Sequence, residues 1–201
     1  MQSGVYRGVS AQERVEQRRA RLIEATLEVW ADPSRRTTMT AICQEAGLSE
    51  RYFYESFSDL DDAQRTVLEA VAEQIERETT QAREAAGSEP LARVEATMRS
   101  FAELIASDPR RGRVAIIEAG AMPQLRHRRT ELLRHFAHLC AEEARRTFED
   151  TQRTENQDEI AGLVFIGGMA ELITAWLEDA LAVSTEEIVS SASAAFVGLY
   201  G

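Results

Sequence analysis

The sequence predicts an all-α protein with two parts, an N-terminal three-helix helix-turn-helix head and a C-terminal helical body. Apolar residues recur at three- and four-residue spacing through most of the chain, helix-opening caps precede several of these runs, and no segment shows the strict alternation of a strand. No internal repeat or low-complexity segment breaks the pattern. The boundary is expected at 62/63, giving a head of 1–62 and a body of 63–201.

Taken in order, Ser10-Ala-Gln-Glu13 is a capping box opening a long first helix, whose buried face carries Leu22, Ile23, Thr26, Leu27 and Trp30. Residues 38–57 then read as two short helices joined by a tight turn at Ala46-Gly47-Leu48-Ser49. Gly47 falls where the chain leaves the first of these, a position of usual positive φ that glycine takes without steric cost. Ser49 is expected to cap the second through its side-chain oxygen. Ile42, Ala46, Leu48 and Phe53 form the apolar wedge between the pair, and Glu50, Arg51, Tyr52 and Tyr54 project outward. An exposed second helix bearing Arg and Tyr suits a reader of the DNA major groove. Ser58-Asp-Leu-Asp61 is a further capping-box-like start, with acidic residues in the first turn where the helix dipole favours them.

The body continues in helices. A helix over 59–84 stops before the loop Ala86-Gly-Ser-Glu-Pro90, and Leu91, Val94, Met98, Phe101, Leu104 and Ile105 mark an amphipathic helix that Ser107-Asp-Pro109 ends. Residues 110–118 predict a short helix, broken by Gly120 and Pro123. Residues 124–149 predict a long one with Leu132, Leu133, Phe136, Leu139 and Cys140 on one face. Residues 158–181 and 185–199 close the chain as a helical pair, capped between by Ser184 or Thr185.

Residues 14–63 resemble the DNA-binding domain of the TetR family of transcriptional regulators. The resemblance rests on Leu22-Ile23-Glu24-Ala25 and Trp30 in the first helix, Thr38-Met39 and 42–49 across the turn, then Tyr52-Phe53-Tyr54 and Phe57. It implies that Tyr54 contacts a phosphate, that Thr38 and Thr40 touch the DNA backbone, and that Glu50, Arg51 and Tyr52 face base edges or adjacent phosphates. With Ser49 these are the expected DNA-binding residues. Two positions depart from the family pattern. Leu60 stands where the family usually has a phosphate-contacting lysine, and Cys43 where a small alanine is common.

With 201 residues, 44% hydrophobic and 28% charged, the chain can bury a substantial core. No run approaches an uninterrupted membrane span, since glutamate and glycines break the apolar stretch 160–175, and 1–17 lacks a secretory apolar core. A cytoplasmic address is the expectation. Cys43 and Cys140 stand singly, as small core residues rather than a disulfide or zinc pair. The net charge of −11 argues against loose adhesion to nucleic acid, but 1–57 balance eight arginines with eight acids, so the whole deficit lies beyond residue 57. All basic residues are arginine.

Glu131, His135, His138 and Glu142 have the spacing of metal ligands on one helical face, but that face lies nearly opposite the apolar one, so the expectation is a solvated face and no metal. His127 is likewise expected on the surface. Arg110, Arg111 and Arg113 are expected to pair with neighbouring carboxylates. Gly162, Gly167 and Gly168, interleaved with Ile160, Leu163, Val164, Ile166 and Leu172, weaken a helix and call for close approach of another element. That approach is either packing within the chain or a two-fold contact between copies, and the thin profile of 190–195 suits the second. No nucleophile-and-base arrangement or phosphate-cradling loop supports an enzyme or a cofactor.

The expected function is a homodimeric DNA-binding regulator, a repressor released from a palindromic operator by a small apolar effector. The effector is expected among Phe101, Ile105, Ile117, Met122, Phe136, Phe165, Met169 and Trp176, with Glu118 orienting it. The competing readings are a helical metal-dependent enzyme using the histidine stripe and an interaction module without a DNA role.

Overall fold

The computed structural model describes residues 10–148 and 153–201. Its elements run α1 (Ala11–Ala31), α2 (Met39–Ala46), α3 (Glu50–Ser56), α4 (Leu60–Ala85), α5 (Pro90–Ser107), α6 (Pro109–Gly112), a π-helical turn (Arg113–Glu118), α7 (Ala119–Ala121), a 3₁₀ turn (Pro123–Leu125), α8 (Arg126–Thr147), α9 (Glu155–Leu177) and α10 (Thr185–Tyr200). The expected end of the long helix at 149 lies outside the described residues. Two units emerge, Met1–Val67 and Leu68–Gly201, dividing within α4.

Side-chain acceptors start most helices. Ser10 and Glu13 form the capping box of α1, Thr154 and Gln157 that of α9, and Ser184 and Glu187 that of α10. The start of α4 differs from the expected box. Asp59 accepts from the Asp62 N–H at 2.8 Å, and the Asp62 carboxylate reaches back to the Ser58 N–H at 3.0 Å. The cap therefore sits one residue later than the Ser58 box, and a carboxylate replaces the hydroxyl as acceptor.

In the first unit Leu22, Ala25 and Val29 of α1 pack on Ile42, Cys43 and Ala46 of α2 and on Phe53, Phe57 and Ala63. Thr26 is buried among them, its hydroxyl satisfied by donating to the Leu22 carbonyl at 2.7 Å.

In the second unit α5 packs on α10, and α8 on α9. The core comprises Val94, Met98, Ala102 and Ile105 of α5, Phe165, Met169 and Ile173 of α9, and Ile188, Phe196 and Tyr200 of α10. Contrary to the expected break, Gly120 lies inside α7. The chain bends at Met122, where ψ turns to 114° ahead of Pro123, and the irregularity before it is the π turn. The fully buried positions of α8 are Ala137, Ala141, Glu143 and Ala144, one step round from the bulky residues that sequence periodicity selects. The reason is close approach: a Cβ on Gly162 would lie 2.6 Å from the Ala137 carbonyl oxygen, so α8 and α9 meet through small residues.

α9 also corrects the hydropathy reading. It is long and apolar enough by length and composition to cross a membrane, with a mean hydropathy of 1.8 over its richest window. Ala161, Gly162, Phe165, Met169 and Ile173 face the core, while Ile160 and Val164 are 62% and 56% exposed. Among the described residues, nothing lies within 4 Å of a Cβ built on Gly167 or Gly168. An apolar helix covered on only one side is an unfinished contact.

Candidate functional site: a helix-turn-helix head and an apolar cavity

The geometry of the turn in the head follows from Gly47. With φ 61° and ψ 38°, its N–H donates to the Gln44 carbonyl at 3.1 Å, and the Leu48 N–H to that of Cys43 at 3.0 Å. This paired Schellman closure redirects the chain into α3. Arg21 of α1 donates to the Ala46 carbonyl, another acceptor that α2 leaves unpaired at its end. Sequence reasoning missed this arginine, which is separated from its partner by 25 residues. A Cβ on Gly47 would also come within 3.3 Å of the guanidinium.

The expected DNA-facing residues divide into two kinds. Thr38 is first a structural cap, its hydroxyl oxygen accepting from the Ala41 N–H at 3.1 Å while keeping its own proton to donate. Thr40 and Glu50 are exposed, with their side-chain oxygens 3.5 Å apart. Ser49 occupies the cap position of α3, but its hydroxyl makes no cap hydrogen bond. The backbone carbonyl instead receives the Tyr52 N–H at 2.9 Å, correcting the expected side-chain cap. Arg51 is exposed and pairs with Glu55 at 2.9 Å, a surface pair that yields easily to a stronger anion. Tyr54 is 59% exposed, edge-on to Phe53 at 5.9 Å between centroids. Tyr52 is half-buried under the Arg18 guanidinium, 4.5 Å from its ring centroid. Leu60 packs partly buried against the head core.

The body holds a cavity of about 170 Å³, lined by α4, α5, the π turn, α8, α9 and α10. Of the residues expected to meet an effector, Phe101, Phe136, Phe165 and Met169 line it; Ile105, Ile117, Glu118, Met122 and Trp176 do not. Ile105 is buried in the core, Trp176 packs at its edge, and Glu118 stands 3.6 Å from Arg113. Most of the further lining is apolar, including Leu68, Met98 and Phe196, but it also holds polar groups that sequence reasoning missed: Thr79, Thr80 and Arg83 of α4, Thr97 of α5, and Arg129 and Glu143 of α8, with Cys140 beside them. Burial pushes the Cys140 thiol up to about 12 against the opposing influence of Arg83, so it stays protonated and unreactive. Glu143 is buried and taken by Arg93, whose Nε and Nη2 donate to its two oxygens at 2.7 and 3.1 Å.

The histidine stripe is engaged in surface pairs. His135 meets Glu76 at 2.8 Å and His138 lies 3.6 Å from Glu142. No metal-holding group of three is present among the described residues. Arg110 and Arg111 pair with Asp108 at 2.7 and 3.5 Å.

Comparison with solved structures decides the fold. A TetR-family regulator from Syntrophomonas wolfei superposes with a TM-score of 0.76 at 14% identity, over 92% of this chain and 95% of that one. The chain has the TetR-type fold. A second match is the fatty acid degradation regulator FadR of Bacillus halodurans, with a TM-score of 0.74 at 16% identity over 90% and 95% of the two chains. FadR of Bacillus subtilis, solved in complex with stearoyl-CoA, gives 0.71 at 18% over 90% and 97%. No family model and no curated protein matches the chain. The TetR-type likeness is thus one of architecture, carried by helix order and packing rather than by shared residues.

Proposed function

We propose that the chain is a cytoplasmic DNA-binding transcriptional regulator, not an enzyme, working as a homodimeric repressor that a small apolar effector releases from a palindromic operator. The observation that carries this reading is the head. A helix-turn-helix closed by Gly47 leaves Thr40, Arg51 and Tyr54 exposed around a short second helix, the arrangement that phosphate and base contacts require. Tyr54, Thr38, Thr40 and Ser49 supply hydroxyls for phosphate oxygens, and Glu50, Arg51 and Tyr52 the groups nearest base edges. The head is the domain expected over 1–62, and 63–201 is the effector and dimerisation part.

The dimer is supported by α9. Its outer face of Ile160, Leu163, Val164, Gly167 and Gly168 continues the exposed small residues Ser191, Ala194, Ala195 and Gly198 of α10, and a second copy would bury both. The effector role is supported by the cavity and by α4. That helix is continuous from Leu60 to Ala85, contributes Ala63 to the head core, and lines the cavity with Leu68, Ala72, Ile75 and Arg83. An occupant that displaces α4 favours a state with weaker operator affinity; coupling of this kind is worth about 1–3 kcal/mol. The complex of Bacillus subtilis FadR with stearoyl-CoA supports a partly hydrocarbon effector.

Selection of bound fragments from the source genome, followed by footprinting, tests the reading. The expected result is a short set of fragments protected over a site with a dyad. Retention of no fragment above background, or protection of sites lacking two-fold symmetry, would overturn it.

A further inference from the structure

Taking the cavity as the effector site, the polar part of its wall narrows the chemistry of the occupant. Arg129 lines it from the start of α8, and its buried Nε has no hydrogen-bond partner among the described residues. Arg83 lines it from the end of α4, and its Nε is also buried without a hydrogen bond to any described residue; Glu143 stands 3.6 Å away. That carboxylate is already held through both oxygens by Arg93. A buried guanidinium N–H without an acceptor is costly, and more so because the group cannot shed its charge. It is also unexpected in a chain with 34 acidic residues against 23 basic ones, where a carboxylate partner is easily supplied.

Two further features converge on Arg129. α8 begins Arg126-His-Arg-Arg129 with no acid in its first turn, placing cations at the end where the helix dipole is already positive. Arg128 is neutralised by Glu69 and Glu131, each at 3.1 Å. Among the described residues, no carboxylate pairs with Arg129 in this way. Gly120 then makes its seat: a Cβ there would lie 3.3 Å from the Arg129 Nε and 3.6 Å from its Cζ, so the absent side chain leaves room for the guanidinium against α7.

Size sets the other limit. An apolar cavity of about 150 Å³ is known to accept benzene, so the 170 Å³ present here holds a body of roughly six to eight carbons by the same measure. Phe101, Phe136, Phe165 and Met169 supply its apolar surroundings.

We infer that the effector is an anionic amphiphile, an alkyl or aryl body of about six to eight carbons ending in a carboxylate or phosphate that the Arg129 guanidinium binds. Arg83 adds a second positive charge to the same cavity. The parallel N–H groups of an arginine match either anion in bidentate fashion.

The test is calorimetric titration of the full-length protein with octanoate, octyl phosphate, octanol and octylamine at one ionic strength. At least one anion is expected to bind about ten- to a hundredfold more tightly than octanol, octylamine most weakly, and the stronger anion identifies the head group. Arg129→Gln should bring the anions down to the affinity of octanol and leave octanol unchanged. Gly120→Val, which fills the seat of the guanidinium without removing it, should give the same selective loss and guards against misreading a folding defect. Octanol binding as tightly as both anions would overturn the head-group assignment while leaving the cavity as an effector site. An anion preference surviving in both variants would do the same. Failure of all four to bind would overturn the effector reading and this inference together.

Discussion

Adding methyl groups to the glycines of α9 should have opposite consequences on its two faces. Among the described residues, alanine at Gly167 and Gly168 meets nothing within 4 Å, so each substitution contributes only the helix-propensity gain, about 1 kcal/mol per site. The isolated protomer should be stabilised by up to about 2 kcal/mol for the pair. In the proposed dimer the same face packs against its two-fold mate, where extra atoms in a close contact typically cost about 1–3 kcal/mol. The dimer dissociation constant should therefore rise by at least about tenfold, the equivalent of 1.4 kcal/mol. Gly162→Ala is the internal control, because its Cβ would collide with the Ala137 backbone at 2.6 Å and should destabilise the chain at any concentration. Sedimentation equilibrium, with guanidinium unfolding at two protein concentrations, reads both effects. A double variant that is more stable yet dimerises as tightly as the parent would refute the placement of the interface on this face.

Tyr54→Phe should weaken binding to all operators alike, and Arg51→Ala should change which sequences are preferred; equal, uniform losses across a sequence library would remove Arg51 from base reading. Leu60→Lys should tighten operator binding and steepen the logarithmic salt dependence by about 0.9, one phosphate contact, at a small cost in head stability from the lost packing; an unchanged slope would place residue 60 away from the DNA backbone. In acid, Asp108 matters because its hydrogen-bonded partner Arg110 holds its carboxyl below the ordinary value despite partial burial. The stability it contributes is complete above the unfolded aspartate value, about 3.9, and is lost as pH falls through the depressed one. Asp108→Asn should therefore lower stability at neutral pH and flatten its decline in acid, as followed by thermal unfolding between about pH 2 and 7.

The head was legible in the sequence because its determinants are local. Gly47 needs a left-handed backbone, and Ile42, Ala46 and Phe53 need burial at fixed spacing from it. The features that escaped depend on distance or on competition between neighbours. Arg21 reaches the end of α2 across 25 residues, Asp59 outcompetes the adjacent Ser58 as a cap, and the Ser49 hydroxyl is bypassed by its own carbonyl. In the body, periodicity located the helices and the face of α8 that lines the cavity, Leu132, Leu133, Phe136, Leu139 and Cys140, but not its deepest positions, which are mostly alanines where α9 approaches closely. Four of the nine residues expected around an effector line the cavity, all of them large apolar groups on α5, α8 and α9. Its polar wall was missed because an apolar site was sought. The readable signal was the run of cations opening α8 without an acid.

The outward face of α9 also bears on the life of the protein before it finds a partner. A protomer released at low concentration exposes a helix with the hydropathy of a membrane span, with Ile160 and Val164 more than half uncovered. Such a surface invites chaperones, proteases or aggregation in proportion to the time it stays open. Pairing would protect the chain as well as align its heads, so the active pool should depend on expression level more steeply than linearly. A modest fall in synthesis would then remove the protein from the cell faster than dilution alone.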